Sequence, residues 1–145
     1  MNIYLAGSFR YVNEVRALAN KIRFYNHDVY CFCDAETDAY KYSLAIRANV
    51  ASKTYTPKTA LNDPMVVTLG FENWGKLAHV DVVIVALPCG KSAHLEAGWA
   101  KGQRKRVYLY GKMLEGEWDA MNVMMDNVFD ENEFIEMMNV VNELA

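Results

Sequence analysis

The sequence has no apolar run long enough to span a bilayer, no leader-like start, and an odd, small number of cysteines, Cys31, Cys33 and Cys89. A transmembrane helix needs about 20 consecutive apolar residues, and disulfide scaffolds use paired cysteines in oxidising compartments. The expectation is therefore a reducing, cytoplasmic setting without a membrane partner. A basic excess is missing too. The formal charge is -3, which argues against a binder of nucleic-acid polymers but leaves room for one nucleotide in a local basic pocket. No G-x-G-x-x-G occurs, so the dinucleotide fingerprint is absent, and there is no internal repeat or linker. Cys31-x-Cys33 lacks the two-residue gap of common zinc sites, and free cysteine in an apolar strand is an ordinary buried residue. Cys89 and His94 lack the further ligand pairs a metal site needs. No metal and no cofactor are expected.

What is present is a globular composition. Apolar residues make up 52% of the 145 and charged residues 23%, enough to fold residues 1–145 as one domain around one sizeable core. The organising stretch runs from Asp81 to Gly102. Residues 82–87 form an unbroken apolar run, which predicts a strand buried on both faces of a parallel sheet. Pro88-Cys89-Gly90 stops it, and Ser92 opens a helix that Gly102 ends. The carboxyl end of a parallel strand leading into a helix amino terminus is where open α/β sheets bind ligands. Glu96 lies one turn into that helix, on a face otherwise made of Ala93, Ala97 and Ala100. It reads either as a carboxylate in a ligand site or as a surface glutamate favoured by the helix dipole.

Taken in order, Asn2–Ala6 predicts a first strand. Gly7-Ser8-Phe9-Arg10 is a tight turn, followed by a helix from Tyr11 to about Tyr25 with Val12, Val15, Leu18, Ala19 and Ile22 at helical spacing. Glycine allows close approach, serine offers a hydroxyl and arginine a fork for phosphate, although a plain turn with a solvated arginine fits equally. Val29–Cys33 predicts a second strand. Asp34 closes it, as a sugar or base acceptor or as a cap. Residues 35–63 are hard to read: a short helix over Ser43–Ala51, then a polar loop of the length used for binding loops and lids. Asp63-Pro64 starts a helix that carries Glu72, Asn73 and Trp74. The basic run Lys101–Arg106 reads as a solvated helix end. Strand 107–110, a short edge strand at 127–129 and an amphipathic helix within 131–144 complete an α/β chain. The prediction is a small doubly wound, flavodoxin/Rossmann-like sheet of about five mostly parallel strands, with helices on both faces.

Three segments resemble one family. SAHLEAGWAKG (92–102) with KRVYLY (105–110), IYLAGSFR (3–10) and, more weakly, NVMMDNV (122–128) are similar to motifs of the nucleoside 2-deoxyribosyltransferase-like superfamily, which holds the deoxyribosyltransferases and the 2'-deoxynucleoside 5'-monophosphate N-hydrolases. The resemblance implies cleavage of the N-glycosidic bond of a nucleoside or its 5'-monophosphate, without a cofactor. Glu96 would be the nucleophile and Tyr4 the residue that orients it. Gly7, Ser8, Phe9 and Arg10, with Ser92, would hold the 5'-phosphate, and Gly90 and Asp34 lie at the same ligand-facing edge. Asn122 and Met124 would reach into the neighbouring subunit's pocket, which implies a homodimer or larger assembly with shared sites.

The chain departs from the family where an aspartate is expected before the central strand. Asn73 stands there, beside Glu72. Either Glu72 takes the acid's role, or Asn73 only hydrogen-bonds the base, or the chemistry differs. The hydrolase-like amino terminus and the transferase-like Asn-x-Met pull toward different branches, so transfer to a base and transfer to water both stay open. A non-catalytic nucleotide sensor on the same fold is the reading from another class.

Overall fold

Alternate residues of a strand face opposite ways, and here both faces are apolar. Ile3 and Leu5 of the first strand point into one core, Tyr4 and Ala6 into the other. The third strand repeats the division with Val82, Ile84 and Ala86 against Val83 and Val85. The computed structural model describes residues 1–145. Its strands are β1 (Asn2–Ala6), β2 (Asp28–Cys31), β3 (Val82–Leu87), β4 (Arg106–Gly111) and β5 (Asn127–Phe129). They form one sheet in the order β2-β1-β3-β4-β5, and every pairing is parallel. The helices are α1 (Val12–Arg23), α2 (Asp38–Ala51), the single turn α3 (Pro57–Ala60), α4 (Pro64–Ala78), α5 (Lys91–Gly102) and α6 (Phe134–Glu143), with 3-10 turns at Phe9–Tyr11 and Ala120–Met124. None is long and apolar enough to cross a membrane.

The two cores account for the doubly wound arrangement. Val15, Leu18, Ala19 and Ile22 of α1 and Phe134, Met137, Met138 and Val141 of α6 cover one face. Leu77 of α4 and Ala93, Ala97 and Ala100 of α5 cover the other. The small alanines let α5 lie close on β3. The order reverses between β1 and β3, so their carboxyl ends flank a crevice, the position at which such sheets bind ligands.

Several boundaries differ from the sequence expectation. The second strand stops at Cys31, because the Asp34 N–H turns back to the Cys31 carbonyl at 3.1 Å. The helix expected over Ser43–Ala51 starts earlier, at Asp38, where the Thr37 side chain accepts the Tyr40 N–H. α5 starts at Lys91, with Gly90 rather than Ser92 as its N-cap and no side chain capping it. The predicted start at Asp63-Pro64 is present, Asp63 accepting the Met65 N–H at 2.8 Å.

The basic run is not a solvated helix end. Lys105 donates to the Ala78 and Val80 carbonyls at 2.9 and 2.7 Å, at and just past the end of α4, and Lys101 and Arg106 both bind Asp126. Gly7 is required by packing, since a Cβ there would lie 2.8 Å from Val15 Cγ2. Gly111 adopts φ 119°, with the Leu87 carbonyl where a side chain would go.

Candidate active site

Tyr4 and Glu96 meet at the β1–β3 crevice. Tyr4 alternates onto the α5 face of β1 and is fully buried. Glu96 lies a turn and a half into α5, and its half-buried side chain reaches back over β1. The Tyr4 hydroxyl donates to Glu96 Oε1 at 2.9 Å. Oε2 has no partner in the protein. Burial pushes the Glu96 carboxyl up to about 7, with the Tyr4 hydrogen bond pulling the other way. The phenol is driven well above its ordinary range, first by burial and then by the neighbouring Glu96.

Glu96 opens onto a cavity of about 280 Å³. Gly7, Ser8 and Phe9 form one wall, and Gly90, Lys91 and Ser92 face them from the start of α5. Ser43 and Arg47 come from α2, and Asn73 from α4. The uncapped amino terminus of α5 presents free N–H groups beside the Lys91 and Arg47 side chains. A helix amino terminus with cations next to it suits a phosphate. Ser8 is itself the N-cap of the Phe9–Tyr11 turn, its Oγ accepting the Arg10 N–H at 3.2 Å.

Asn73 is held by Tyr30, whose hydroxyl donates to Asn73 Oδ1 at 2.8 Å. The Asn73 amide nitrogen has no partner in the protein and remains available to donate. The Tyr30 ring in turn packs on Tyr4, with centroids 5.2 Å apart. Past Asn73 the cavity continues into an apolar annex of about 420 Å³ bounded by Val66, Leu69, Trp74, Leu95 and Trp99.

The sequence-predicted residues divide into three groups. Tyr4 and Glu96 are bonded to one another, and Gly7, Ser8, Phe9, Asn73, Gly90 and Ser92 line the same cavity. Arg10 is exposed and is not part of the lining. Its place is taken by Arg47, whose guanidinium lies 4.9 Å from the Phe9 ring centroid. Asp34 is withdrawn too, its carboxylate held by Arg23 at 2.6 Å, and it acts as the lock between α1 and the turn after β2. Glu72 is half-buried on α4 and faces neither cavity, so the amide of Asn73, not the Glu72 carboxyl, meets the site. Asn122 and Met124 lie beyond the opposite side of α5, with His94 and Gly98. There the Asn122 side chain accepts the Asp119 N–H at 2.9 Å. Within one chain they do not reach Glu96.

Arg47, Ser43 and Lys91 were not singled out by the sequence. The signal for the first two was the i, i+4 spacing of Ser43 and Arg47 on a helix over an expected ligand edge. Tyr40 of α2 is stacked on Phe9 with centroids 5.5 Å apart, and the Arg16 guanidinium lies 4.7 Å from its ring centroid.

No protein-family model matches the sequence, and no curated protein does. Among solved structures, the chain is similar to the CMP N-glycosidase BcmB of Clostridium botulinum, with a TM-score of 0.51 and 12% identity over 100% of both chains. At that identity the likeness is one of fold.

Proposed function

We propose that this protein is a nucleotide N-glycosidase: it cleaves the N-glycosidic bond of a nucleoside 5'-monophosphate, with Glu96 as nucleophile and water as the acceptor. The observation that carries the reading is the Tyr4–Glu96 hydrogen bond, which presents Glu96 to a cavity also lined by Lys91 and Arg47. The similarity of fold to a CMP N-glycosidase and the resemblance to the deoxyribosyltransferase-like superfamily support it.

Tyr4 fixes one carboxylate oxygen and leaves Oε2 to attack the anomeric carbon. As the new C–O bond forms, the C–N bond breaks and its electron pair leaves with the base. The Asn73 amide, oriented by Tyr30, donates a hydrogen bond to that base, which takes its proton from solvent. Water then attacks the glycosyl ester, loses its proton and frees Glu96 as the carboxylate, giving the sugar 5-phosphate. The phosphate sits among the α5 N–H groups, Ser8, Ser92, Lys91 and Arg47. A partly desolvated carboxylate is a stronger nucleophile than a hydrated one; the same burial raises its pKa, so the nucleophilic form is favoured as pH rises.

We also infer a homodimer. Phe71, Trp74 and Leu95 are 63%, 50% and 75% exposed; Trp74 and Leu95 line the annex beside the catalytic cavity, and the Phe71 ring packs on Trp74 with centroids 5.8 Å apart. Covering this aromatic face with a second copy would close the open side of the site. Light scattering on the purified chain tests it, and a monomer at working concentration would refute it.

The deciding experiment is chromatographic. Nucleosides and 5'-monophosphates are incubated with the protein or with Glu96→Ala, each with and without a free acceptor base. The expected result is base release from monophosphates, lost in Glu96→Ala and unaltered by acceptor. Base exchange would replace water as acceptor and make the protein a transferase. Tight nucleotide binding without release would make it a sensor.

A further inference from the structure

On the other side of the Gly90-Lys91 turn from the Glu96 cavity, three side chains of different chemistry converge. They are Cys89 from the end of β3, His94 from the first turn of α5 and Glu117 from the loop between β4 and β5. Their ligating atoms all lie within 4.8 Å of one another, and Cys89 Sγ is 3.4 Å from His94 Nε2. Read in sequence, Cys89 and His94 make only a pair. The fold adds the third member from 28 residues downstream.

We propose that Cys89, His94 and Glu117 bind a divalent metal ion of the zinc class, which fastens the 112–119 loop to the turn that begins α5. A tetrahedral zinc with a sulfur ligand at about 2.3 Å and a nitrogen at about 2.0 Å sets those atoms about 3.5 Å apart, close to the separation present. The donor set of thiolate, imidazole and carboxylate is that of zinc rather than of calcium or magnesium, which take oxygen. The carboxylate is already aimed. Glu117 Oε1 accepts the Cys89 N–H at 2.7 Å and Oε2 accepts the Leu114 N–H at 2.8 Å. These are the supporting hydrogen bonds that metal-ligating carboxylates make, and they leave further lone pairs on both oxygens. A cavity of about 580 Å³ opens beside the three residues, so a water can complete the coordination. Lys91 rims this cavity but is exposed and free to turn away. On binding, the Cys89 thiol releases its proton to solvent as the metal–sulfur bond forms. Thiolate and carboxylate together then balance the two charges of the ion, with no change of oxidation state.

The site is separate from the glycosidase chemistry, and its test does not read activity. Reduced protein is titrated with Co2+, whose thiolate charge-transfer absorption reports a sulfur ligand, and then with Zn2+. The expected result is one equivalent of Co2+ absorbing, displacement by Zn2+, and a higher melting temperature with Zn2+ bound. Cys89→Ser should abolish the absorption, and His94→Ala and Glu117→Gln should each weaken binding by roughly tenfold or more. Circular dichroism on each variant establishes that it is folded, and the loop variant Glu117→Gln decides the matter if Cys89→Ser is not. Absence of the band, or its survival in Cys89→Ser through Cys31 and Cys33, would overturn the proposal. So would equal affinity in Glu117→Gln.

Discussion

Tyr4 and Glu96 stand 92 positions apart in the chain and share one hydrogen bond of 2.9 Å. The first strand supplies the hydroxyl and the helix after the third strand supplies the carboxylate, so the bond lies at the point where the strand order reverses. It is the only hydrogen bond Glu96 makes through its side chain within the protein, and it settles which oxygen is free.

Removing that donor should change the pH profile as well as the rate. In Tyr4→Phe the carboxyl loses the one contact that lowers its pKa, so the acid limb of kcat/KM moves to higher pH. A hydrogen bond to a charged group is worth about 1.5–3 kcal/mol, so the loss should be roughly 10- to 100-fold. A rate loss with an unmoved acid limb would mean that Tyr4 only supports the fold.

Glu96 should make the protein less stable as pH rises. Its folded pKa of about 7 lies above the unfolded value of 4.5, so the folded state holds the proton more tightly. Stability therefore falls as pH rises from 4.5 through 7 and is lowest above that window. At about 1.4 kcal/mol per pKa unit, and with a half-buried side chain, the effect is about 2 to 3 kcal/mol. Glu96→Gln should lose this slope, melting higher than the wild type at pH 8 but not at pH 4.5, while losing turnover. Parallel melting curves across that range would refute the assignment.

The phosphate should be read by Arg47 rather than Arg10. Arg47→Ala removes the guanidinium over Phe9 and should lower kcat/KM for monophosphates by about tenfold or more, the scale of one charge-assisted hydrogen bond. Nucleosides should be far less affected. Arg10→Ala should behave like the wild type on both, and a selective loss in Arg10→Ala would return the role to the residue the sequence suggested.

Asp126 should be a stability residue with the opposite pH sign. Burial alone would raise its pKa. Hydrogen bonds from Lys101, the Val107 N–H and Arg106 outweigh that and hold the carboxyl below the usual range. The stabilisation is complete above the usual carboxylate pKa and is lost as pH falls through the lowered one. Asp126→Ala leaves Lys101 and the Val107 N–H without their acceptor and should cost about 2 to 3 kcal/mol in denaturant unfolding at pH 7. A change within experimental error would show that the cluster is replaceable by solvent.

The parts of this fold legible from sequence are those with a strong period or a strong stop. The apolar run of β3, the spacing of Val15, Leu18 and Ile22, and the Asp63-Pro64 start all appear where expected, because burial on a regular element imposes a pattern. α2 shows no such stripe: Ala39 is its one buried residue, so the sequence marks only its second half, 43–51, as helix and does not show that Arg47 faces the cavity. Asp34 departs from its expected place at the ligand edge for a different reason. It pairs with Arg23 from the preceding helix, and no spacing rule announces a partner brought in by tertiary packing. Glu117 sits alone in a loop and acquires meaning only beside Cys89. The reversal of strand order brings Gly7, Ser8, Gly90 and Ser92 to one crevice, so their convergence follows from topology alone.

β1 has a timing consequence during synthesis. It emerges first, and of its two neighbours β2 arrives within about 25 residues while β3 follows only some 80 positions later. Pairings so distant in sequence form slowly, because the chain between them must be closed first. Until β3 arrives, one edge of β1 lies open and its tyrosine has no carboxylate to meet. Recovery of turnover should therefore be among the last events of refolding, and nascent chains ending before residue 82 should be the ones that most need a chaperone.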